Sequence, residues 1–153
     1  MTNEEFVRHV KDAEKSMYRV SKTILYRDED CADAIQNAIL KAFDKLDTLK
    51  NEKYFVTWLM RILMNECYQM LRNRHEEVSY EEYMENEEST YSNSEVYEAL
   101  MELEDIYRIP FVLHYIEGYS TKEIAKILDI SMSNVKIRLQ RARIKLQDML
   151  KGE

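Results

Sequence analysis

The sequence predicts an all-α protein of two small helical domains joined by an acidic linker, the second domain a helix-turn-helix. Three observations lead there. The 153 residues include only two glycines and one proline, whereas sheets and hairpins need turn residues with special backbone angles. Apolar residues recur at three- and four-residue steps along most of the chain. That periodicity lapses over residues 76–94, EEVSYEEYMENEESTYSNS, where the chain turns acidic. A hydrophobic share of 45% beside 33% charged residues allows packed cores under a well-solvated surface.

In the first domain, 1–75, Phe6, Val10, Ala13, Met17 and Val20/Ile24 define one amphipathic helix. DEDCAD (28–33) offers acidic N-cap candidates for a second, with Ala34/Ile35, Ala38/Ile39, Ala42/Phe43 and Leu46 facing inward. KLDTLKNEK (45–53) is a polar break. A third helix runs from about Tyr54 to Arg74, with Phe55, Leu59, Ile62 and Met70 as its inward face. The segment 76–94 reads as a linker, because so long a loop inside one compact domain is unusual. It serves either as a solvated tether or as an acidic shield over basic surfaces, and the sequence does not separate the two.

Helices resume in the second domain, 95–153. Val96, Leu100 and Leu103 mark one helix, and Ile109, Val112, Leu113 and Ile116 mark another from about Asp105 to Glu117. Pro110 is tolerable near the start of that helix and would bend it further in. Gly118 is a C-cap candidate, and Ser120–Glu123 forms a capping box opening the next helix, where Ile124, Ala125 and Leu128 face inward. After the short Asp129-Ile130-Ser131 turn comes the last helix. At 100° per residue Val135, Leu139, Ala142 and Leu146 fall within about a 60° stripe that faces the core. The opposite side carries Ser133, Asn134, Ile137, Gln140, Arg141 and Ile144, flanked by Lys136 and Arg143 on one side and Arg138 and Lys145 on the other.

Such a helix suits the DNA major groove. Arg141 and Gln140 can address base edges, Ile137 can touch a thymine methyl, and the flanking cations can hold phosphates. A basic solvated helix in an ordinary bundle is the plainer alternative. The net charge of −7 does not oppose DNA binding. Residues 76–105 hold twelve acids and no Lys or Arg, and setting those aside leaves the rest of the chain at +5. Residues 130–147 hold five cations and no acid, and local potential governs phosphate contact.

On the third helix Tyr54, Trp58, Arg61, Asn65, Tyr68 and Arg72 share a second face, spaced 4, 3, 4, 3 and 4. Aromatic rings interleaved with arginine and an amide are what unpaired bases need, stacking plus phosphate neutralisation. Taken alone, Trp58 and Tyr68 fit rim packing at least as well.

Together these residues resemble the extracytoplasmic-function group of bacterial RNA polymerase sigma factors. DAIQNAILKAF (33–43) is similar to the family's polymerase-clamp-binding helix, and YFVTWLMRILMN (54–65) to its promoter-melting helix. STKEIAKILDIS…VKIRLQRARIKL (120–146) is similar to its terminal DNA reader. The resemblance implies that the first domain docks on core RNA polymerase around Asp33, Gln36, Asn37, Leu40 and Lys41. It implies that this domain opens the minus-ten element of promoter DNA, with the loop at about 45–53, bearing Lys50, Asn51 and Lys53, choosing a flipped non-template base. Extruding that base costs a few kcal/mol. The second domain would read the minus-thirty-five duplex through Lys136, Ile137, Gln140 and Arg141, and the linker would thread near the polymerase active site. An anti-sigma partner is expected from the family alone. Asn37 stands where the family often has Glu, Gln69 where it often has Asp, and Ile137 where a small polar residue is frequent. These departures bear on clamp affinity and promoter sequence.

Other chemistries find little footing. His9, His75 and His114 form no ligand pattern with Cys31 and Cys67, so no metal is expected. Glycine-rich phosphate loops and nucleophile–histidine signatures are missing from the sequence, and neither cofactor nor catalysis is expected of the chain itself. Two widely spaced cysteines, no apolar run near 18 residues and no signal region point to a cytoplasmic protein without membrane insertion. Two rivals remain. One is a helix-turn-helix transcriptional regulator acting without polymerase clamp contact. The other is a degenerate relative that sequesters polymerase or an inhibitor.

Overall fold

The computed structural model describes residues 1–74 and 95–152. The expected linker at 76–94 lies outside the described residues, as does His75. Two compact units divide the chain, Met1–Glu87 and Glu88–Glu153. All regular structure among the described residues is helical.

In the first unit α1 (Asn3–Leu25), α2 (Asp28–Asp44) and α3 (Phe55–Arg74) pack against one another pairwise. A reciprocal capping box starts α1: Thr2 Oγ1 accepts from the Glu5 N–H at 3.1 Å, and the Glu5 carboxylate accepts from the Thr2 N–H at 2.9 Å. The six apolar residues read from the sequence, Phe6 to Ile24, are buried as expected. Past Leu25 the chain turns sharply through Tyr26, which adopts a positive φ of 66° and donates its N–H to the Lys22 carbonyl at 3.1 Å. A residue with a Cβ adopts that angle only when its surroundings hold it there, and Tyr26 is buried.

The acids of DEDCAD do not cap α2. Arg27 occupies the N-cap with no side-chain hydrogen bond, and Asp28, Glu29 and Asp30 form the first turn, at the positive end of the helix dipole. Asp28 is engaged elsewhere. The buried Lys22 donates to it at 2.8 Å and the Tyr18 hydroxyl also bonds it, so the joint between α1 and α2 is locked by charge. Those two bonds hold the Asp28 carboxyl below its ordinary range, Lys22 contributing most.

The inward faces of α2 and α3 need correction. On α2 the small residues Cys31, Ala34, Ala38 and Ala42 are fully buried, while Ile35 and Ile39 are half-buried and Phe43 is exposed; Leu46, also half-buried, falls past the end of the helix. A row of small side chains lets the helices approach closely and pushes bulk to the rim, where Phe43 meets Phe6 edge-on at 5.4 Å. On α3, Phe55 and Leu59 are buried as expected, but Ile62 and Met70 are only half-buried. Met60, Leu63, Met64 and Cys67 complete the core instead. The buried arc of α3 is therefore wider than a single stripe.

In the second unit α4 (Glu95–Glu102) leads into α5 (Asp105–Phe111). Leu100 and Leu103 are buried as expected, whereas Val96 is exposed. The single helix expected from Asp105 to Glu117 is split. Pro110 sits inside it, lacks the N–H for the Ile106 carbonyl, and is followed by a π-turn, Val112–Ile116, closed by the Glu117 N–H on the Val112 carbonyl at 2.9 Å. That wider turn leaves Ile116 exposed while Ile109, Val112 and Leu113 stay buried. Gly118 follows the Glu117 cap with a φ of +82° and nothing near its missing Cβ, so the backbone angle is the reason for glycine there.

Helix α6 (Thr121–Leu128) opens on the expected capping box, Ser120 and Glu123 bonding at 3.1 and 3.0 Å. Ile124 and Ile127 are buried on it, while Ala125 and Leu128 are half-buried. Asp129 ends α6 in the left-handed conformation, and Ser131 opens α7 (Met132–Lys151) by accepting the Asn134 N–H at 3.1 Å. All four residues of the expected α7 stripe are buried. Ala142 and Leu146 join Ala99, Leu100, Leu103 and Val112 in one core, with Tyr107, Phe111 and Met149 packed on it. Arg108 is buried beside this core. It donates to the carbonyls of Met101, in the last turn of α4, and Leu103, just past it, and pairs with Asp105 at the start of α5, satisfying helix-end groups that otherwise lack partners.

Candidate nucleic-acid interface

With Val135, Leu139, Ala142 and Leu146 buried, the geometry of α7 leaves its opposite face to solvent. Ser133, Lys136, Ile137, Gln140, Arg141, Arg143 and Ile144 are exposed, and Asn134 and Arg138 are half-buried. Ile137 keeps 45% of its surface exposed although nothing polar there would reward solvation, which suits an apolar contact with a partner. Among the described residues no ion pair engages Lys136, Arg141 or Arg143. Two further cations of this helix are tied down. Arg138 donates its Nε to Asn134 Oδ1 at 3.1 Å, and Lys145 Nζ lies 5.3 Å from the Tyr107 ring.

On α3 the second face also points away from the core. Tyr54, Arg61, Asn65 and Arg72 are exposed, and Trp58 and Tyr68 are half-buried. Trp58 leans on the buried Phe55 with ring centroids 5.9 Å apart, so one side of its indole is packed. This combines the two alternatives left open by the sequence: rim packing holds the ring and leaves part of it available. Lys53 Nζ lies 6.0 Å from the Tyr54 ring.

The polar break at 45–53 folds into two short 3₁₀ turns, Leu46–Thr48 and Glu52–Tyr54. Asn51 Oδ1 accepts the Lys53 N–H at 3.0 Å, so the Asn51 carbonyl oxygen is committed to the loop, while Lys50 and Lys53 are exposed. The loop walls a cleft of about 550 Å³ together with Asn3, Phe43 and Asp44.

The expected polymerase-facing residues divide. Asp33, Gln36, Asn37 and Leu40 are exposed along α2, Leu40 with 59% of its surface. Gln36 and Leu40 also line a mostly apolar groove of about 440 Å³ with Ile35 and Ile39, completed by Glu14 and Tyr18 of α1. Lys41 is different. Its ammonium pairs with Glu66 of α3, which is buried. The sequence reading overlooked Glu66, Glu14 and Tyr18. Glu66 was legible as a lone acid among Leu63, Met64 and Cys67 once the buried arc of α3 is phased correctly; nothing in the sequence marks Glu14 or Tyr18. Among the described residues no cluster of three His, Cys, Asp or Glu side chains could hold a metal, and no helix is long and apolar enough to cross a membrane.

Two family models match in tandem: sigma-70 region 2 over residues 8–77 and sigma-70 region 4 over residues 93–146. The chain belongs to the RNA polymerase sigma factors, in the extracytoplasmic-function group. Among its relatives is RNA polymerase sigma factor SigV of Bacillus subtilis, 27% identical over 138 residues, covering 87% of this chain and 83% of the relative. Another is ECF RNA polymerase sigma factor SigM of Mycobacterium tuberculosis, 29% identical over 141 residues, covering 89% and 72%. The fold matches that of the sigma factor RpoE of Bartonella quintana, solved with the anti-sigma factor NepR, at a TM-score of 0.80 and 24% identity over 97% of this chain and 98% of that one. This sigma factor directs transcription initiation by RNA polymerase. A regulator working apart from polymerase is not favoured by these likenesses.

Proposed function

We propose that α7 reads the minus-thirty-five element as duplex and α3 holds the melted minus-ten strand, at a small set of promoters. The observation that carries this reading is the outward row on α7, three cations in no ion pair among the described residues around an exposed Ile137 and Gln140. Gln140 and Arg141 address base edges, Ile137 takes a thymine methyl, and Lys136, Arg138 and Arg143 meet phosphates, with Ser133 entering first and Asn134 beside Arg138 at the wall. On α3, Tyr54 and Trp58 stack bases while Arg61, Asn65 and Arg72 hold the strand, and Lys50, Asn51 and Lys53 present the loop that selects the flipped base.

The residues 1–75 thus form the polymerase-bound, minus-ten domain, 95–153 the minus-thirty-five domain, and 76–94 the acidic linker. The clamp of core polymerase docks on Asp33, Gln36, Asn37 and Leu40 and fills the apolar groove beside them. Lys41 acts there by bracing α2 against α3 through Glu66. The reading places the chain in the cytoplasm with polymerase and DNA. An anti-sigma factor, of the kind seen with the Bartonella protein, would hold it inactive. No chemistry is assigned to the chain, because polymerase makes the RNA.

The test is transcription in vitro from the gene's own upstream region with core polymerase. Reversing Arg61→Glu and Arg141→Glu together should reduce the promoter-directed transcript by more than about a hundredfold, since each reversal replaces attraction to phosphate with repulsion. Undiminished transcript from a folded double variant would sink the assignment.

A further inference from the structure

Asn134 and Arg138 sit one turn apart on a flank of α7, in line with Arg141 and Lys145 at steps of 4, 3 and 4. Asn134 is fixed at both ends. Its backbone N–H bonds Ser131 Oγ at 3.1 Å, and its Oδ1 accepts from Arg138 Nε at 3.1 Å. The bond uses the one guanidinium nitrogen that lies along the side chain and leaves the terminal Nη fork unspent. At 100° per residue, Arg138 lies about 60° from Val135 at the centre of the buried stripe, on the shoulder of the helix rather than its outer crest. A helix lying in the major groove turns its crest to base edges and its shoulders to the groove walls, which are sugar and phosphate. Lys145, on the same shoulder, is occupied by the Tyr107 ring, so Arg138 is the cation held in place toward the wall.

We propose that Asn134 is a positioning residue, orienting the Arg138 fork onto the two oxygens of one phosphate at the wall of the minus-thirty-five groove. A bidentate guanidinium–phosphate contact requires a set plane. A side chain already held in that plane loses less freedom on binding, an advantage of about three- to tenfold in affinity. The inference rests on α7 being the duplex reader, and its test separates the two.

Binding of the holoenzyme, full-length chain with core polymerase, to promoter duplex is measured across salt concentrations for Asn134→Ala, Arg138→Ala and the double variant. Arg138→Ala should lower the slope of log affinity against log salt by about 0.9, the signature of one phosphate contact. Asn134→Ala should weaken binding about three- to tenfold with the slope unchanged, equally for minus-thirty-five sequences of different base composition. In the Arg138→Ala background, Asn134→Ala should do nothing further. Alanine is the better helix former at this site, so unfolding does not imitate the loss.

A double variant whose loss equals the product of the single losses would overturn the proposal. So would an Asn134→Ala effect that changes base preference, which would place the fork on a guanine edge, or no effect at all. Arg141→Glu is the control for the underlying reading. If it abolishes binding while the coupling is absent, only the positioning role fails; if it too is silent, the duplex reading fails with it.

Discussion

The outer faces of α3 and α7 carry similar residue types in different states. On α3, Trp58 is packed against Phe55, and Tyr54, Arg61 and Tyr68 all have partners already. On α7, Lys136, Arg141 and Arg143 stand in no ion pair among the described residues, and Ile137 is open to water. The contrast matches the two forms of DNA. A duplex is stiff and densely charged, so a reader needs accessible cations and a few edge contacts, and displaced counterions supply much of the affinity. A melted strand is floppy and its bases are apolar plates, so a reader must bring the rigidity itself. Holding an aromatic ring by one side does that.

The comparison breaks most readily at the charges. Replacing Lys136, Arg141 and Arg143 with alanine should weaken holoenzyme binding to promoter duplex about a hundredfold or more near 0.15 M salt. The log–log salt slope should fall by about 2.7, three contacts at 0.9 each. A loss without a change of slope would mean these cations act on something other than phosphate. The matching variant on the other face is Trp58→Ala. It should slow formation of the opened complex by about 10- to 100-fold, the worth of one stacked base, while binding to closed duplex keeps its affinity and salt slope. Loss of closed-duplex binding instead would erase the division between the two helices.

These two faces were legible in the sequence for different reasons. The α7 stripe was read correctly because one helix buries one narrow row there, and period alone fixes its phase. On α3 the outer face was placed correctly but the inner one was misphased, because its buried arc is wider than one stripe and takes in Met60, Leu63 and Met64. Phe43 was misplaced for a related reason: the alanines of α2 carry the contact, and large residues beside them are driven outward. The π-turn at Val112–Ile116 had a visible cause in Pro110 but no visible outcome, since a proline can bend, break or widen a helix. The pair that joins separate helices, Lys41 with Glu66, depends on geometry that spacing does not encode.

Ile137 sharpens the comparison further at smaller scale. Ile137→Ser should leave the salt slope unchanged and reduce preference for a thymine at one minus-thirty-five position by about fivefold, the size of a modest apolar base contact. Systematic substitution of that element, with holoenzyme affinity as the readout, locates the position. If no thymine loses its advantage, Ile137 is not in the groove.

The smallest effect concerns the two interiors. Both cysteines, Cys31 and Cys67, belong to the first unit and are buried there. Burial pushes the Cys31 thiol up to about 11, with a hydrogen bond from Ser21 pulling the other way, and burial pushes Cys67 up as well. A thiol whose folded pKa is raised stays protonated in the folded chain while the unfolded chain ionises. The stability it reflects is therefore intact below the ordinary value of 9.0 and declines as pH climbs from there toward 11, by up to about 1.4 kcal/mol per pH unit for each thiol. The only tryptophan of the chain, Trp58, lies in the same unit, so its fluorescence during urea unfolding follows that unit. Between pH 9 and 11 its stability should fall, and Cys31→Ala should flatten the fall whatever the alanine does to absolute stability, because lysines and tyrosines that also titrate there are common to both proteins. An identical slope in the variant would mean that the Cys31 site admits water, and the close-packed α2 face built from Cys31, Ala34, Ala38 and Ala42 would then be looser than its burial implies.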